Sequence, residues 1–210
     1  MVTAFALNPT LVNPLTYNLY SVLIEALVAA GQTTGPEQTE EKIAFTKLNA
    51  QRSKRVHKTF ELLPELRETL QQIPEKWDWL LITESWCGDG AQLVPAIADI
   101  AAVAPNIELT ILLRDENPEL MDQYLTNGGR AIPKLICLDA ETEETLFTWG
   151  PRPTAIQQKV KALKTENPYA GKEELHQQLA VWYAKDKSMA LQQDLLNLIK
   201  EAACRLKPVY

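Results

Sequence analysis

The chain has 210 residues, of which 46% are hydrophobic and 23% charged, proportions that exclude disorder, collagen and a coiled-coil rod. Lysine and arginine number 21 against 27 acidic residues, and the net charge of -6 gives no general affinity for nucleic acid. A chain of this size can bury a real core.

Thr16 is placed to cap a first helix in which Leu19, Leu23, Leu27 and Ala30 form one apolar face, and Gly31 closes it. Residues 32–38, with Gly35-Pro36, read as a loop, and Thr39 followed by Glu40 and Glu41 starts a longer helix to about Phe60. Leu62, Leu63, Leu66, Leu70 and Ile73 mark a third helix entered at Pro64. The period then changes. Residues 77–83 are bulky and β-prone, as a buried strand is; residues 91–104 return to a helix ended by Pro105; and residues 107–114 alternate as a strand. Residues 117–127 are helical up to Gly128-Gly129. Residues 133–138 and 145–149 flank an acidic turn as a hairpin, and residues 153–164 are again helical. This order predicts an α/β fold. It divides the chain into a helical extension over 1–75, a central unit over 76–165 and a second extension over 166–210, with both extensions packed on the centre.

Cys87, Cys137 and Cys204 are odd in number and widely spaced, which fits neither a disulfide framework nor a zinc site and favours a reducing compartment. Residues 1–7 lack the basic region and apolar run of a signal peptide, and no stretch approaches the roughly 18 apolar residues of a membrane span, so a soluble cytoplasmic protein without a membrane partner is expected.

The chemistry concentrates in Glu84-Ser85-Trp86-Cys87-Gly88-Asp89-Gly90, where the predicted strand turns into a helix. A sulfur there meets the free N–H groups of the first turn, which stabilise a thiolate and lower the cysteine pKa. Gly88 removes bulk beside the sulfur and Trp86 offers a flat apolar surface at its mouth. Asp89 acts in two directions, favourable at a helix N-terminus and unfavourable to a neighbouring thiolate. Glu84 is a candidate proton acceptor for Cys87, set against the plain reading of a solvated acid at a strand end.

These residues resemble the thioredoxin superfamily, in which a strand ends in Trp-Cys-Gly-Pro-Cys. Pro95 falls where thioredoxins carry the proline that kinks the active-site helix. Arg130-Ala131-Ile132-Pro133-Lys134-Leu135 is similar to their cis-proline segment, and Gly150 matches the glycine that closes their last strand. The whole pattern looks like a bacterial thioredoxin family protein with helical extensions. The resemblance implies a mixed sheet flanked by helices, a cis Pro133 against Cys87, and an Ile132 that contacts a substrate strand. It also implies thiol–disulfide exchange with a protein disulfide or a low-molecular-weight thiol, and no cofactor.

Two departures bear on activity. Gly90 stands where the resolving cysteine belongs, which removes the dithiol cycle, and Leu81 replaces the buried aspartate that assists proton transfer. A lone Cys87 then has three uses: a mixed disulfide resolved by an external small thiol, which is preferred; resolution by Cys137 or Cys204; or none, in a redox-inactive fold kept to bind a peptide or protein. Cys137 lies in an apolar strand and reads as a small buried hydrophobe.

Residues 42–60 carry six basic side chains and no acid. Lys47, Lys54, Arg55 and Lys58 share a solvated face, whereas Arg52, four residues from Leu48 and Val56, points partly inward. It either pairs with a carboxylate of the central unit or holds an anionic group of a thiol cosubstrate. Arg130 and Arg152 flank the cis-proline segment and its closing glycine, where each could bind a carboxylate or a surface acid. His57 and His176 are too isolated for a metal site. Leu175, Leu179, Trp182 and Tyr183, then Met189, Leu191, Leu195, Leu196 and Ile199, are core or interface stripes; the oligomeric state is left open.

Overall fold

The computed structural model describes residues 10–169 and 171–206, and residues 1–7, read above for a leader, lie outside them. Three helices precede the sheet: α1 (Tyr17–Ala30), α2 (Glu40–Thr59) and α3 (Pro64–Gln71). Thr16 and Thr39 cap the first two through their hydroxyls, Gly31 ends α1 with φ 64°, and Pro64 opens α3. Then follow β1 (Trp77–Thr83), α4 (Gly88–Ala101), β2 (Ile107–Leu113), α5 (Pro118–Gln123), β3 (Lys134–Asp139), β4 (Thr145–Trp149) and α6 (Thr154–Glu166). Two further helices, α7 (Lys172–Asp186) and α8 (Met189–Leu206), complete the described residues. No helix among the described residues is long and apolar enough to cross a membrane.

The four strands lie in the order β2-β1-β3-β4, with β1 parallel to β2 and antiparallel to β3, and β4 antiparallel to β3. This is the expected α/β arrangement, a mixed sheet flanked by helices. Alternate residues of β1 serve two cores. Trp77, Trp79 and Leu81 join the larger one, with α4, with Leu66 and Leu70 of α3, and with Leu191, Leu195 and Ile199 of α8. Leu80 and Ile82 join a smaller one with Cys87, Leu120, Met121 and Ile132.

Three local expectations shift. The buried face of α1 is Tyr20 and Ile24, while Leu19 is 55% exposed, because α1 carries two apolar stripes and the one with the aromatic ring meets the core. β2 does not alternate cleanly: Ile111, Leu112 and Leu113 are all buried, since Leu15 pairs across the edge of the strand with Ile111 in both directions at 2.8 and 2.9 Å. α5 stops at Gln123, and a tight turn with positive φ at Asn127 and Gly128 takes up the rest of its predicted length.

Candidate active site

α4 begins at Gly88, three residues before the predicted start, because Cys87 itself is its N-cap. The sulfur accepts the Gly90 N–H at 3.3 Å and donates to the Ile132 carbonyl at 3.4 Å. The Ile132-Pro133 bond is cis, as the family resemblance implied. The carbonyl just before the proline therefore faces the sulfur across the end of the sheet. Gly150 closes the arrangement from behind: at φ 117°, a Cβ there would lie 2.2 Å from the Pro133 carbonyl oxygen, so only glycine fits.

The thiol is not the activated group that a helix N-terminus alone would produce. Cys87 is 7% exposed, and its pKa is pushed up from 9.0 to about 12, by burial first and then by the Asp89 carboxylate; the Gly90 and Asp89 amides and Arg152 offset only part of this. Burial thus favours the neutral thiol over the thiolate. Asp89 itself is held by Arg152 at 2.7 Å and by the Tyr183 hydroxyl, which donates at 2.7 Å. Tyr183 lies on α7, so a residue of the C-terminal extension fixes the position next to the sulfur.

Cys87 nonetheless reaches space. It lines a cavity of about 460 Å³ between α2, the start of α4, and α7, within the range of small-ligand pockets. The loop contributes Trp86, Gly88 and Asp89; α2 contributes Lys42, Phe45 and Arg52; α7 contributes His176, Leu179 and Tyr183. Two cations lie over the Trp86 ring, Lys42 Nζ at 4.7 Å from its centroid and the Arg114 guanidinium at 4.9 Å. The Phe45 and His176 rings meet edge to face at 5.5 Å.

Of the residues singled out from sequence, Cys87, Trp86, Gly88, Asp89, Arg52 and Arg152 come together on this cavity. Gly90 lies beneath the sulfur, and a Cβ on it would fall 2.6 Å from Thr83 Oγ1. Ile132 and Pro133 are buried behind the sulfur, Ile132 within the smaller core, so neither lies open to an incoming strand. Glu84 is 1% exposed and turned away: Thr34 Oγ1 and the Asp115 amide donate to its two oxygens. Burial pushes its carboxyl above the usual range, against those hydrogen bonds. It anchors the α1–α2 loop, where Thr33, Thr46 and Ser85 continue the hydrogen-bonded cluster. Arg130 is exposed and bound to Asp122 through two hydrogen bonds of 2.6 and 2.7 Å, away from the cavity. Cys137 is fully buried in the larger core and Cys204 is exposed on α8; all three thiols are free.

Sequence reasoning passed over Lys42, Tyr183 and His176 as site residues. Tyr183 lies 94 positions from Asp89, and its place in an apolar stripe marked it as core, which it also is. The only available signal was its hydroxyl, since a buried tyrosine needs a partner.

Residues 35–164, from the α1–α2 loop through α6, match the family model described as Thioredoxin. A protein of unknown function from Pseudomonas aeruginosa aligns with 90% of this chain and 99% of its own at 23% identity and a TM-score of 0.56. An HIV epitope scaffold aligns with 84% of this chain and 96% of its own, also at 23% identity, with a TM-score of 0.54. None of the curated proteins matches.

Proposed function

Because the chain belongs to the thioredoxin family, we propose that it carries out thiol–disulfide exchange through Cys87 alone, with a small thiol or disulfide as its partner. The observation that carries this reading is the position of the sulfur: it caps α4, faces the carbonyl before cis Pro133, and forms part of the wall of a small-molecule-sized cavity. Burial of Ile132 and the cover of α7 argue against a protein strand as the first partner. Cys137 is sealed in the core, Gly90 supplies no second thiol, and Cys204 on α8 is not part of the cavity that Cys87 lines, so an external thiol is the resolving group in this reading. A cytoplasmic setting is part of this reading, since a single free thiol cycles only where small thiols are plentiful.

A second reading, a redox-silent binding module, is favoured by the buried, protonated thiol. One measurement separates the two. Treatment with bis(2-hydroxyethyl) disulfide is expected to add one mercaptoethanol to the Cys204→Ser protein by intact mass, to release it on addition of a free thiol, and to add none to the Cys87→Ser/Cys204→Ser protein. An adduct confined to Cys204 in the wild type overturns exchange through Cys87 and favours the binding module.

A further inference from the structure

The charged lining of the cavity is unevenly paired. Asp89 is taken by Arg152 at 2.7 Å and Lys42 by Glu37 at 2.6 Å, so the lining side chains left outside those ion pairs include two strong cations, Arg52 and Lys172, and one carboxylate, Glu41. Among the described residues Arg52 makes no ion pair, and its one side-chain hydrogen bond is to Asn49 Oδ1 at 3.2 Å. A guanidinium presents five N–H donors in a planar fork, so most of its donor capacity is unspent inside a cavity. Burial, then the neighbouring Arg55, pull its pKa below the usual range, the signature of a cation without a counter-ion. Arg52 lies beside the residue that follows Cys87: a Cβ on Gly88 would sit 3.7 Å from Arg52 Nη1, and Arg52 and Cys87 line the same cavity.

We propose that Arg52 is the specificity-determining residue of this cavity and that the partner of Cys87 is a small thiol or disulfide bearing a carboxylate, bound by the Arg52 fork with Lys172 at the rim. This rests on the exchange reading for the reacting group. Its step is balanced: the Cys87 thiol gives up its proton to solvent, the sulfur attacks one sulfur of the disulfide, the S–S bond breaks, and the departing thiolate takes up a proton. Cys87 ends oxidised as the mixed disulfide and one equivalent of the small thiol ends reduced.

The test measures adduct formation on the Cys204→Ser protein with dithiodipropionate, bis(2-hydroxyethyl) disulfide and cystamine, which are anionic, neutral and cationic. Each rate is normalised to that of the same disulfide with the urea-unfolded chain. The anionic reagent is expected to lead the neutral one by about tenfold or more, the scale of a charge-assisted hydrogen bond. Arg52→Gln is expected to bring that ratio towards one and Arg52→Lys to retain part of it. Equal rates for the three reagents, or a ratio that survives Arg52→Gln, overturn the assignment while leaving exchange standing. If no reagent adds to Cys87, exchange fails, and the anion site is decided by calorimetric titration of Cys87→Ser protein. Preference for thiodipropionate over thiodiglycol, lost in Arg52→Gln, supports the site, and absence of preference removes it.

Discussion

At the residue scale, two opposed influences meet on Cys87, and burial prevails over the helix terminus. A partial positive charge at the start of a helix acts on the sulfur through the Gly90 amide, but desolvation and Asp89 together exceed it. The iodoacetamide rate at Cys87 is therefore expected to keep rising with pH through 10, with no plateau near the pKa of a free thiol. Asp89→Asn removes the nearby negative charge and leaves Arg152 to act alone on the sulfur. Its expected outcome is several-fold faster alkylation at pH 8, with a loss of about 1–3 kcal/mol in urea melts from the half-buried, unpaired guanidinium. Gly90 makes the site monothiol by shape as well as composition. Gly90→Cys is expected to cost about 1–3 kcal/mol through the Thr83 contact, part of which Thr83→Ala returns, measured by the same melts.

At the element scale, α7 is the unusual piece. It buries only Leu179 and Tyr183, yet it covers the cavity, tied by the Tyr183 hydroxyl to the carboxylate beside the sulfur. It meets α8 through Lys187 and Ser188, two consecutive residues with positive φ, at 50° and 64°. Tyr183→Phe keeps the apolar contact and removes the tie. Amide exchange along α7 should quicken and Cys87 should alkylate faster, with a stability loss of about 1.5–3 kcal/mol for a hydrogen bond to a charged group. Unchanged exchange in α7 would show that apolar packing alone holds it.

At the scale of the whole molecule, one core links elements far apart in the chain, from Tyr20 and Ile24 of α1 through the sheet to Leu195 and Ile199 of α8. Leu195→Ala in the last helix should therefore cost about 2–5 kcal/mol, as Leu81→Ala in the central strand should, and each variant should unfold in a single transition. The raised pKa of Cys87 also has a global consequence. The fold favours the neutral thiol, so that contribution is complete below the unfolded value near 9.0 and declines as pH rises towards about 12. The urea midpoint of the wild type should fall more steeply between pH 8.5 and 10.5 than that of Cys87→Ser.

Periodicity, caps and turn residues in the chain were enough to determine the element order, the α/β class, the cap at Thr16 and the strand Trp77–Thr83, while the cis Pro133 segment that brings the Ile132 carbonyl to Cys87 was legible only through the family resemblance. These are local features, or they belong to a recurring pattern, and each is written within a short stretch of residues. Tertiary structure alone decided that Glu84 turns to Thr34 and Asp115, that Tyr183 reaches Asp89, that Arg130 stays outside, and that Arg52 overlooks Gly88 without a counter-ion. It also reversed the expected acidity of the thiol, because desolvation depends on every element packed around an atom, and the helix that completes that enclosure begins 85 residues after the cysteine.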